Sequence, residues 1–521
     1  MKRLRRAADA DAVRALEERG AIAVPVLLPL VLSGDDDTSS RAAAAIRALL
    51  STWPRRLLPQ LDESSRSYAL LPDLDISAWR EMRPKDVRQL AALPRATSHV
   101  LGVASFHHDG HVREAAVTAL DRMTDGDELA YLLVRVNDWV SPVAERALDA
   151  VTRRIVPEYA TAFVSSLPLL LRLDSNTRRV HRSLLDAAFA FLRQPDQQSA
   201  LALGARSSDL LTQRFSHRLA REGAGDDLLR VLRGSLESHD VIVRLEAARY
   251  LRTRSETTAL AELLDVLEHD RSVAVRREGL LAAFDRLPGD VPDRAERALL
   301  DGSRSVRDVA RFILAKTRPG FAPKELYRSR LSSDDRRVLS AALAGLAEIG
   351  DRADAPLVHP FVADPRVGIR RTAIRALGKL DAEQNASILV AALADPSPGV
   401  THAAREALLA HPTLYDRETI TGLLHAIPYV HGVLDAFALG ARLGKWPSLL
   451  LLLEASGSDE LAVADAARVG LARWVVQANR RFASPRPDEL VMVNDLLARR
   501  RFAIEDRVLT EITAAVRPWQ F

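Results

Sequence analysis

Hydrophobic and polar residues recur along most of the chain with the period of an α-helix, and strand-like alternation is scarce. The clearest stretch runs from Asp364 to Gly378, where Ile369, Ala373 and Leu377 fall at positions i, i+4 and i+8 on one helical face. Asp364 and the proline after it suit a helix entrance, since a carboxylate can accept hydrogen bonds from unpaired backbone N–H groups. Gly378 suits the end of the helix. This pattern predicts a turn followed by a helix.

The same pattern of a turn aspartate and a following amphipathic helix recurs along the chain. Clear copies begin at Asp138, Asp270, Asp301 and Asp395, and looser copies begin near His108, His239, Ser333 and Asp459. The first apolar anchors of six successive copies are Val243, Val275, Val306, Val338, Ile369 and Val400, at steps of 32, 31, 32, 31 and 31 residues. A period near 31 residues, with two helices in each unit, is typical of a helical solenoid.

These repeats resemble HEAT repeats, specifically the short bacterial type called phycobilisome-lyase-like HEAT repeats. The residues that carry the resemblance are the aspartate, Val or Ile five positions later, Arg six positions later, and the Ala and Leu that follow. The Asp/Arg pattern matches at Asp270/Arg276, Asp301/Arg307 and Asp364/Arg370, whereas Asp395 is followed by Thr401 and Asp138 by Ala144. The resemblance implies an all-α fold, a right-handed superhelical HEAT-repeat solenoid of antiparallel helix pairs, in which neighbouring pairs share a continuous core. We expect the repeated Asp and Arg residues to form a structural hydrogen-bonded ladder between successive repeats.

Four segments follow from the regularity of the repeats. We predict N-terminal cap repeats at 1–97 with a loop-rich insertion at 51–95, irregular HEAT repeats at 98–235, regular repeats at 236–410, and degenerate C-terminal repeats with a cap at 411–521. The segment 51–95 could instead be a poorly conforming repeat with long turns. We expect the apolar C-terminal end, from Val516 to Phe521, to fold back on the last helices, and a partner-docking peptide is the alternative.

The amino-acid composition limits the kinds of surface and chemistry that the protein can have. The chain has 521 residues and 47% hydrophobic residues, enough for a full core, and its net charge of +4 comes from 73 basic and 69 acidic residues that are interleaved nearly everywhere. That interleaving predicts a solvated, salt-bridged surface rather than one basic face. There is no cysteine, which excludes disulfides and thiolate chemistry and fits a cytoplasmic protein. The abundance of Arg and Ala indicates a GC-rich bacterial coding background.

We predict neither a signal peptide nor a membrane span. The apolar run Ala21–Leu32 is interrupted by two prolines and follows a stretch that contains four acidic residues, unlike a secretory leader. We therefore expect Ala10–Arg19 and Ala23–Leu32 to form the first helix pair. The short leucine run Leu449–Leu453 is far below spanning length.

Three candidate chemistries deserve comparison with HEAT-type enzymes. His107, His108, Asp109 and His111 could bind a metal, but Asp is also a natural cap in this turn. Deoxyhypusine hydroxylase binds iron through His-Glu pairs, and this chain has no His-Glu dipeptide. Phycobilin lyases share this repeat type, but the repeats identify only the fold and not the lyase chemistry. Asp138 and Trp139 invite comparison with alkylpurine DNA glycosylases, although no further glycosylase residue aligns.

Because the sequence shows no catalytic motif, its exposed surface is the candidate for function. We predict a non-catalytic protein–protein interaction scaffold with no cofactor, metal or catalytic residue. Glycine-rich phosphate loops, a Gly-x-Ser-x-Gly elbow and His-Glu-x-x-His are all absent from the sequence. In HEAT units the second helix usually lines the concave face, where a protein partner would bind. The predicted partner-binding residues are Arg249, Tyr250, Arg277, Phe312, Arg371 and Arg375. The alternative is a nucleic-acid-binding solenoid that uses the Arg-rich inner helices.

Overall fold

A computed structural model describes residues 12–33, 35–66, 75–175, 181–254, 256–478 and 483–519. These residues form helices and connecting turns, with no β-strand among them. The chain divides into two compact units, Met1–Ala259 and Leu260–Phe521, and the division falls inside one helix, Thr257–Glu268. Each unit is an all-α stack, as the sequence predicts.

The N-terminal unit contains seventeen α-helices in its described residues, before the helix at the division. They are α1 (12–18), α2 (Val24–Leu30), α3 (Asp36–Ser51), α4 (Leu58–Arg66), α5 (Ser77–Arg80), α6 (Pro84–Ala92), α7 (Ser98–Ala104), α8 (Gly110–Leu120), α9 (Glu128–Val136), α10 (Ser141–Arg153), α11 (Ala160–Ser165), α12 (Leu167–Ser175), α13 (Arg182–Leu192), α14 (Gln198–Gly204), α15 (Leu210–Glu222), α16 (Leu228–Leu236) and α17 (Val241–Thr253).

The helix at the division is α18 (Thr257–Glu268), and the described residues of the C-terminal unit continue from there. They contain α19 (Val273–Arg286), α20 (Val291–Ala298), α21 (Arg304–Thr317), α22 (Pro323–Ser329), α23 (Arg336–Ile349), α24 (Ala355–Val358), α25 (Val367–Leu380), α26 (Ala386–Ala391), α27 (Pro398–Leu409), α28 (Arg417–Ala426), α29 (Val430–Gly440), α30 (Lys445–Ala455), α31 (Leu461–Ala478), α32 (Pro487–Arg500) and α33 (Asp506–Val516).

Helices of the C-terminal unit pack as repeated pairs. The odd-numbered helices from α19 to α31 pack each against the next, and we call them the second-helix row. The even-numbered helices from α20 to α30 are the first helices, and each packs against the second helix that follows it. This arrangement buries an apolar stripe that no single pair could bury alone, which is the physical basis of a solenoid.

The predicted apolar anchors lie in the core with one exception. Val243, Val275, Val306, Ile369 and Val400 are buried, but Val338 is only half-buried and Leu339 takes its place. The register of α23 itself is the predicted one, because its N-cap Asp335 lies three residues before Val338, just as Ser303 lies three residues before Val306. Leu339 stands where the other repeats have the ladder arginine, and this apolar side chain is buried beside the anchor. Val338 is thus less buried than predicted.

The helix that shows the pattern most clearly departs from the prediction at its end. Asp364 does accept the N–H of Arg366 at 2.8 Å at the entrance of α25, as expected. Gly378, however, does not end the helix, which continues to Leu380. A Cβ at Gly378 would lie 2.5 Å from the Cβ of Ala407 in α27. The glycine is therefore a point of close approach between two second helices, and its predicted role as a helix terminator is wrong.

Packed helices occupy the described part of the predicted insertion at 51–95. It contains α4, α5 and α6, and α6 packs against α8. Trp79 of α5 is buried, and its indole N–H donates to the carbonyl of Ser65 at 3.3 Å. These residues thus fit the alternative of an irregular repeat better than a loop-rich excursion. The Pro-Asp stretch predicted as a loop around Pro72 lies outside the described residues.

The C-terminal end packs back on the last helices as far as it is described. A short 3-10 helix, Arg517–Trp519, follows α33, and Trp519 is half-buried against the apolar cluster of the last helices. Phe521 lies outside the described residues. In the same way, α1 and α2 account for the predicted first helix pair over its described residues.

Candidate interaction surface

The repeated Asp and Arg residues form the predicted ladder between repeats. Arg276 makes two hydrogen bonds to Asp301 of the next turn, at 2.7 and 2.9 Å, and its third nitrogen donates to the carbonyl of Asp270 in its own turn at 2.8 Å. Arg370 binds Asp395 in the same way, at 2.8 and 3.0 Å. Such paired bonds fix geometry as well as adding energy. The conserved geometry of these two links supports a structural role for the motif.

In two repeats, a different pair of residues links neighbouring second helices. Arg307 donates to Glu348 on α23, because the next turn has Ser333 at the position where the other turns have the aspartate. Thr401 stands where the arginine would be after Asp395, and Arg405 links α27 to Asp435 of α29 at 2.7 Å instead. The mechanical link between second helices is thus kept where the motif is lost.

The ladder of the N-terminal unit is buried. Asp138 is fully enclosed and accepts hydrogen bonds from Arg113, at 2.9 and 2.9 Å, and from Arg135, at 3.0 Å. Burial alone would raise the pKa of Asp138, but the hydrogen bonds of Arg113 and the charge of Arg135 outweigh it and hold the pKa below its usual value. Both carboxylate oxygens are engaged, so Asp138 is not placed to act as a catalytic carboxylate.

Trp139 next to it is half-exposed and already stacked. The guanidinium groups of Arg66 and Arg113 lie over its ring, 4.4 and 4.5 Å from the centroid. Cation–π contacts of this kind stabilise a tryptophan at a surface. The geometry therefore gives the comparison with DNA glycosylases no support, because neither the acid nor the aromatic ring is free for a flipped base.

The histidine cluster is also structural at its centre. His107 is buried, its Nε2 lies 2.8 Å from the carbonyl oxygen of Trp79, and its Nδ1 accepts the N–H of Asp109 at 3.0 Å. Asp109 in turn caps α8 by accepting the N–H of His111. In the part of the chain that the structure describes, no group of three or more His, Cys, Asp or Glu residues is arranged to hold a metal ion.

A pH-dependent loss of stability is expected from His107. Burial lowers its pKa from 6.5 to about 4, so the unfolded chain binds a proton there more readily than the folded protein does. The stabilising contribution of the neutral ring is complete above pH 6.5 and is lost as the pH falls from 6.5 towards 4. We expect the free energy of unfolding to drop between pH 7 and pH 5 by about 2 kcal/mol more in the natural protein than in His107→Gln. Urea unfolding at both pH values measures this, and an equal drop in both proteins would contradict it.

The predicted site residues lie on the second helices. In the C-terminal unit, Arg277, Phe312, Arg371 and Arg375 belong to α19, α21 and α25, and all four are exposed. Counted from the buried anchor of each helix, Arg277 and Arg371 hold one equivalent position, and Phe312 and Arg375 another. The prediction that they share the exposed side of one row fits this register. The two remaining residues belong to α17 of the N-terminal unit, where Arg249 is exposed and Tyr250 half-buried.

Charge on this row is mixed, as the sequence indicates. Asp308 and Glu406 occupy positions equivalent to Arg371 and Arg375 on neighbouring second helices. A hydrogen bond from Arg405 lowers the pKa of Glu406, and the charge of Arg375 adds to the effect. Arg371 forms no ion pair within the described residues. The half-exposed ring of Phe312 packs edge-on against Phe284 of α19, with centroids 5.8 Å apart.

Two surface hollows of the C-terminal unit are not foreseen from the sequence. The first, which we call the arginine hollow, has a volume of about 830 Å³ and lies among the turns 268–271 and 300–302 and the first turns of α23 and α25. The second is an apolar hollow of about 550 Å³ between α29, α30 and α31, with Leu434, Phe437 and Val469 in its wall. The residues that line each hollow come from several repeats, so the pattern of one repeat does not reveal the hollow. Arg371, which lines the first hollow, is the one lining residue that the sequence predicts as a binding residue.

No described helix has both the length and the apolar character needed to cross a membrane.

One segment of the chain matches a known family of helical repeats. Residues 325–409 match the family model for HEAT repeats. Among solved structures, the chain is similar to Kap95p in a structure with RanGDP, with 12% identity, 96% of this chain and 67% of that chain covered, and a TM-score of 0.34. A structure of importin β gives 13% identity, 99% and 66% coverage, and a TM-score of 0.33. The chain thus spans about two thirds of the length of these relatives, and the likeness concerns the fold alone. No curated protein matches the sequence.

The stacked helix pairs, their shared core and their Arg–Asp links define an α-helical repeat protein. Residues 325–409 match HEAT repeats, and the helix pairs of the C-terminal unit on either side of this segment stack in the same way. The phycobilisome-lyase-like subtype and a bacterial origin stay predictions.

Proposed function

We propose that this protein is a non-catalytic scaffold that binds a protein partner on the second-helix row of its C-terminal unit. The observation that carries the proposal is that one row of packed second helices bears both the half-exposed ring of Phe312, on α21, and the unpaired guanidinium of Arg371, on α25. Aromatic rings and arginines are the residue types that most often anchor protein interfaces. Because Phe284 supports Phe312 from the side, the ring loses little conformational freedom when a partner covers it.

Mixed charge on the row favours a protein over a nucleic acid. Binding to a phosphate backbone needs several cations without compensating acids nearby. Asp308 lies between the arginines of α19 and α25, and Glu406 lies on α27 next to those of α25, so both acids would repel such a backbone. Arg249 and Tyr250 of α17 would add an anchor of the same kind in the N-terminal unit. We place the scaffold in the cytoplasm of a bacterium, on its composition.

A matched pair of double variants tests the proposal. Phe312→Ala with Arg371→Glu removes both anchors from the second-helix row. Leu357→Ala with Arg330→Glu makes the same kinds of change at α24 and directly after α22, on the side of the first helices, where both residues are exposed. We expect the first variant to bind the protein captured by the natural chain about tenfold more weakly or worse, and the second to bind it normally.

The measurement is affinity capture by the tagged full chain in its native cells, followed by titration of the captured protein. Equal affinity of both double variants would contradict the proposal. Captured material that nuclease removes, with the loss confined to Arg371, would support the nucleic-acid alternative instead.

A further inference from the structure

The arginine hollow carries a large excess of positive charge. Seven arginines and three carboxylates contribute to its wall. All three carboxylates are engaged: Asp301 accepts two bonds from Arg276, Glu268 accepts one from Arg294 at 2.8 Å, and Asp270 accepts the N–H of Ser272. Asp301 and Glu268 thus each compensate one arginine of the wall, Arg276 and Arg294, and arginines still outnumber carboxylates there.

Four of these arginines form no ion pair among the described residues: Arg297 of α20 and three that lie at the starts of two second helices. Arg336 and Arg337 begin α23, and Arg371 lies in the second turn of α25. None of them forms an ion pair or a side-chain hydrogen bond in the described structure. Guanidinium groups are weakly hydrated and present a planar fork that fits carboxylate and phosphate oxygens two at a time. An unpaired group of three, facing one hollow, fits a ligand that brings several oxyanions.

We propose that the arginine hollow binds an acidic segment of the protein partner, a short run of Asp and Glu or a phosphorylated stretch. The inference rests on the proposed function, since the segment belongs to the partner. Arg371 both lines the hollow and lies on the second-helix row, so a partner held on Phe312 can reach the hollow with an adjoining segment. A hollow of about 830 Å³ is in the range of sites that hold a few residues rather than a domain.

The wall of the hollow favours a peptide over a single-stranded nucleic acid. Proteins that bind single strands combine cations with aromatic rings on which successive bases stack. His269 is the one ring-bearing residue in the wall, and no Phe, Tyr or Trp among the described residues lines it. The hollow thus offers oxyanion contacts without a stacking surface, which carboxylate or phosphoserine side chains satisfy and bases do not.

Charge reversal at the start of α23 tests whether the hollow binds an acidic segment, and it should leave the fold unchanged. Glutamate is favourable in the first turn of a helix, so Arg336→Glu with Arg337→Glu should leave α23 intact. The cap from Asp335 reaches backbone N–H groups and does not depend on these side chains. The matched control is Arg442→Glu with Arg507→Glu, two exposed arginines of the same unit that lie outside the hollow. Thermal unfolding by circular dichroism verifies that both variants remain folded.

The probes are a fluorescein-labelled oligoglutamate, a phosphoserine peptide of the same length and a single-stranded oligonucleotide of the same charge, titrated against the full chain by anisotropy. We expect one or both peptides to bind, to weaken with added salt, and to lose about tenfold or more in affinity with the double reversal at Arg336 and Arg337 but not with the control. The tighter peptide then identifies the oxyanion.

Two results would overturn the inference. If neither peptide bound, or if the control variant lost as much affinity, the hollow would not be a peptide site. Oligonucleotide binding as tight as that of the peptides, with the same dependence on Arg336 and Arg337, would make the hollow an unselective polyanion site. Failure of the peptides while partner capture still depends on Phe312 would leave the proposed function standing. Peptide binding without any captured protein would refute the proposed function and leave the hollow an anion site only.

Discussion

Replacing Asp138 by alanine is expected to lower the free energy of unfolding of the N-terminal unit by about 3–5 kcal/mol. The change leaves the guanidinium groups of Arg113 and Arg135 enclosed in the protein without the carboxylate that both bind. Removing one member of a buried ionic group is costly because the remaining charges can no longer be solvated. The N–H of Val140, which Asp138 also caps, loses its acceptor as well.

The control is the equivalent rung in the C-terminal unit. Asp395 binds Arg370 with the same two bonds, but that rung is partly open to solvent. Water can replace the lost carboxylate there, so Asp395→Ala should cost only about 1–2 kcal/mol. Hydrogen exchange of the amides in each unit, with urea unfolding of the whole protein, separates the two effects. Asp138→Ala costing no more than Asp395→Ala would show that burial does not strengthen the ladder.

The second large effect is expected at Gly432 in α29. A Cβ there would lie 2.2 Å from the carbonyl oxygen of Leu393 and 2.8 Å from a methyl carbon of Ile427. A backbone carbonyl cannot rotate away as a side chain can, so either α29 or the 3-10 helix Ala392–Ala394 must move. We expect Gly432→Ala to lower the free energy of unfolding by about 2–3 kcal/mol, in the upper range for overpacking.

Gly422 is the matched control for that substitution. It lies within α28, it is exposed, and a Cβ built on it meets nothing within 4 Å. Since alanine favours a helix over glycine, Gly422→Ala should stabilise the protein by about 0.5–1 kcal/mol. Denaturant midpoints of the two variants should therefore move in opposite directions. If both moved upward, close packing of α29 would not limit this position.

The sequence predicted the fold through features that are local to one repeat. Each turn aspartate, the arginine six positions later and the apolar anchors between them lie within about fifteen residues, and helical periodicity shows them directly. Hence the Asp270/Arg276 and Asp364/Arg370 motifs could be recognised, and a ladder expected. Which aspartate each arginine binds depends on how repeats stack, and only the structure shows that Arg276 reaches Asp301.

The errors have the same origin. Gly378 reads as a helix end because glycine often ends helices, but close packing against Ala407 gives it a different role. Val338 holds the anchor position of α23, but Leu339, at the place of the ladder arginine, is buried and Val338 is only half-buried. Neither the degree of burial nor the inter-helix distance can be read from the periodicity of one repeat.

The candidate binding residues also divide into those that the pattern of one repeat reveals and those that only the stacked repeats reveal. Phe312 and Arg371 were predicted because each stands at an outward position of its own second helix, which the helical period gives. Arg336 and Arg337 escaped notice because, within one repeat, they look like ordinary charges at the start of a helix. Their convergence with Arg371 on one hollow is a property of the stacked repeats.

Site-specific photo-crosslinking tests the central claim, that the second-helix row of the C-terminal unit holds a protein partner, most directly. The photoreactive residue is placed at position 312 on α21 or at position 357 on α24, two exposed apolar positions on second and first helices. Illumination in native cells should give a discrete protein adduct from position 312 and none from position 357. Adducts from position 357 alone, or equal adducts from both, would contradict the assignment of the partner to this row.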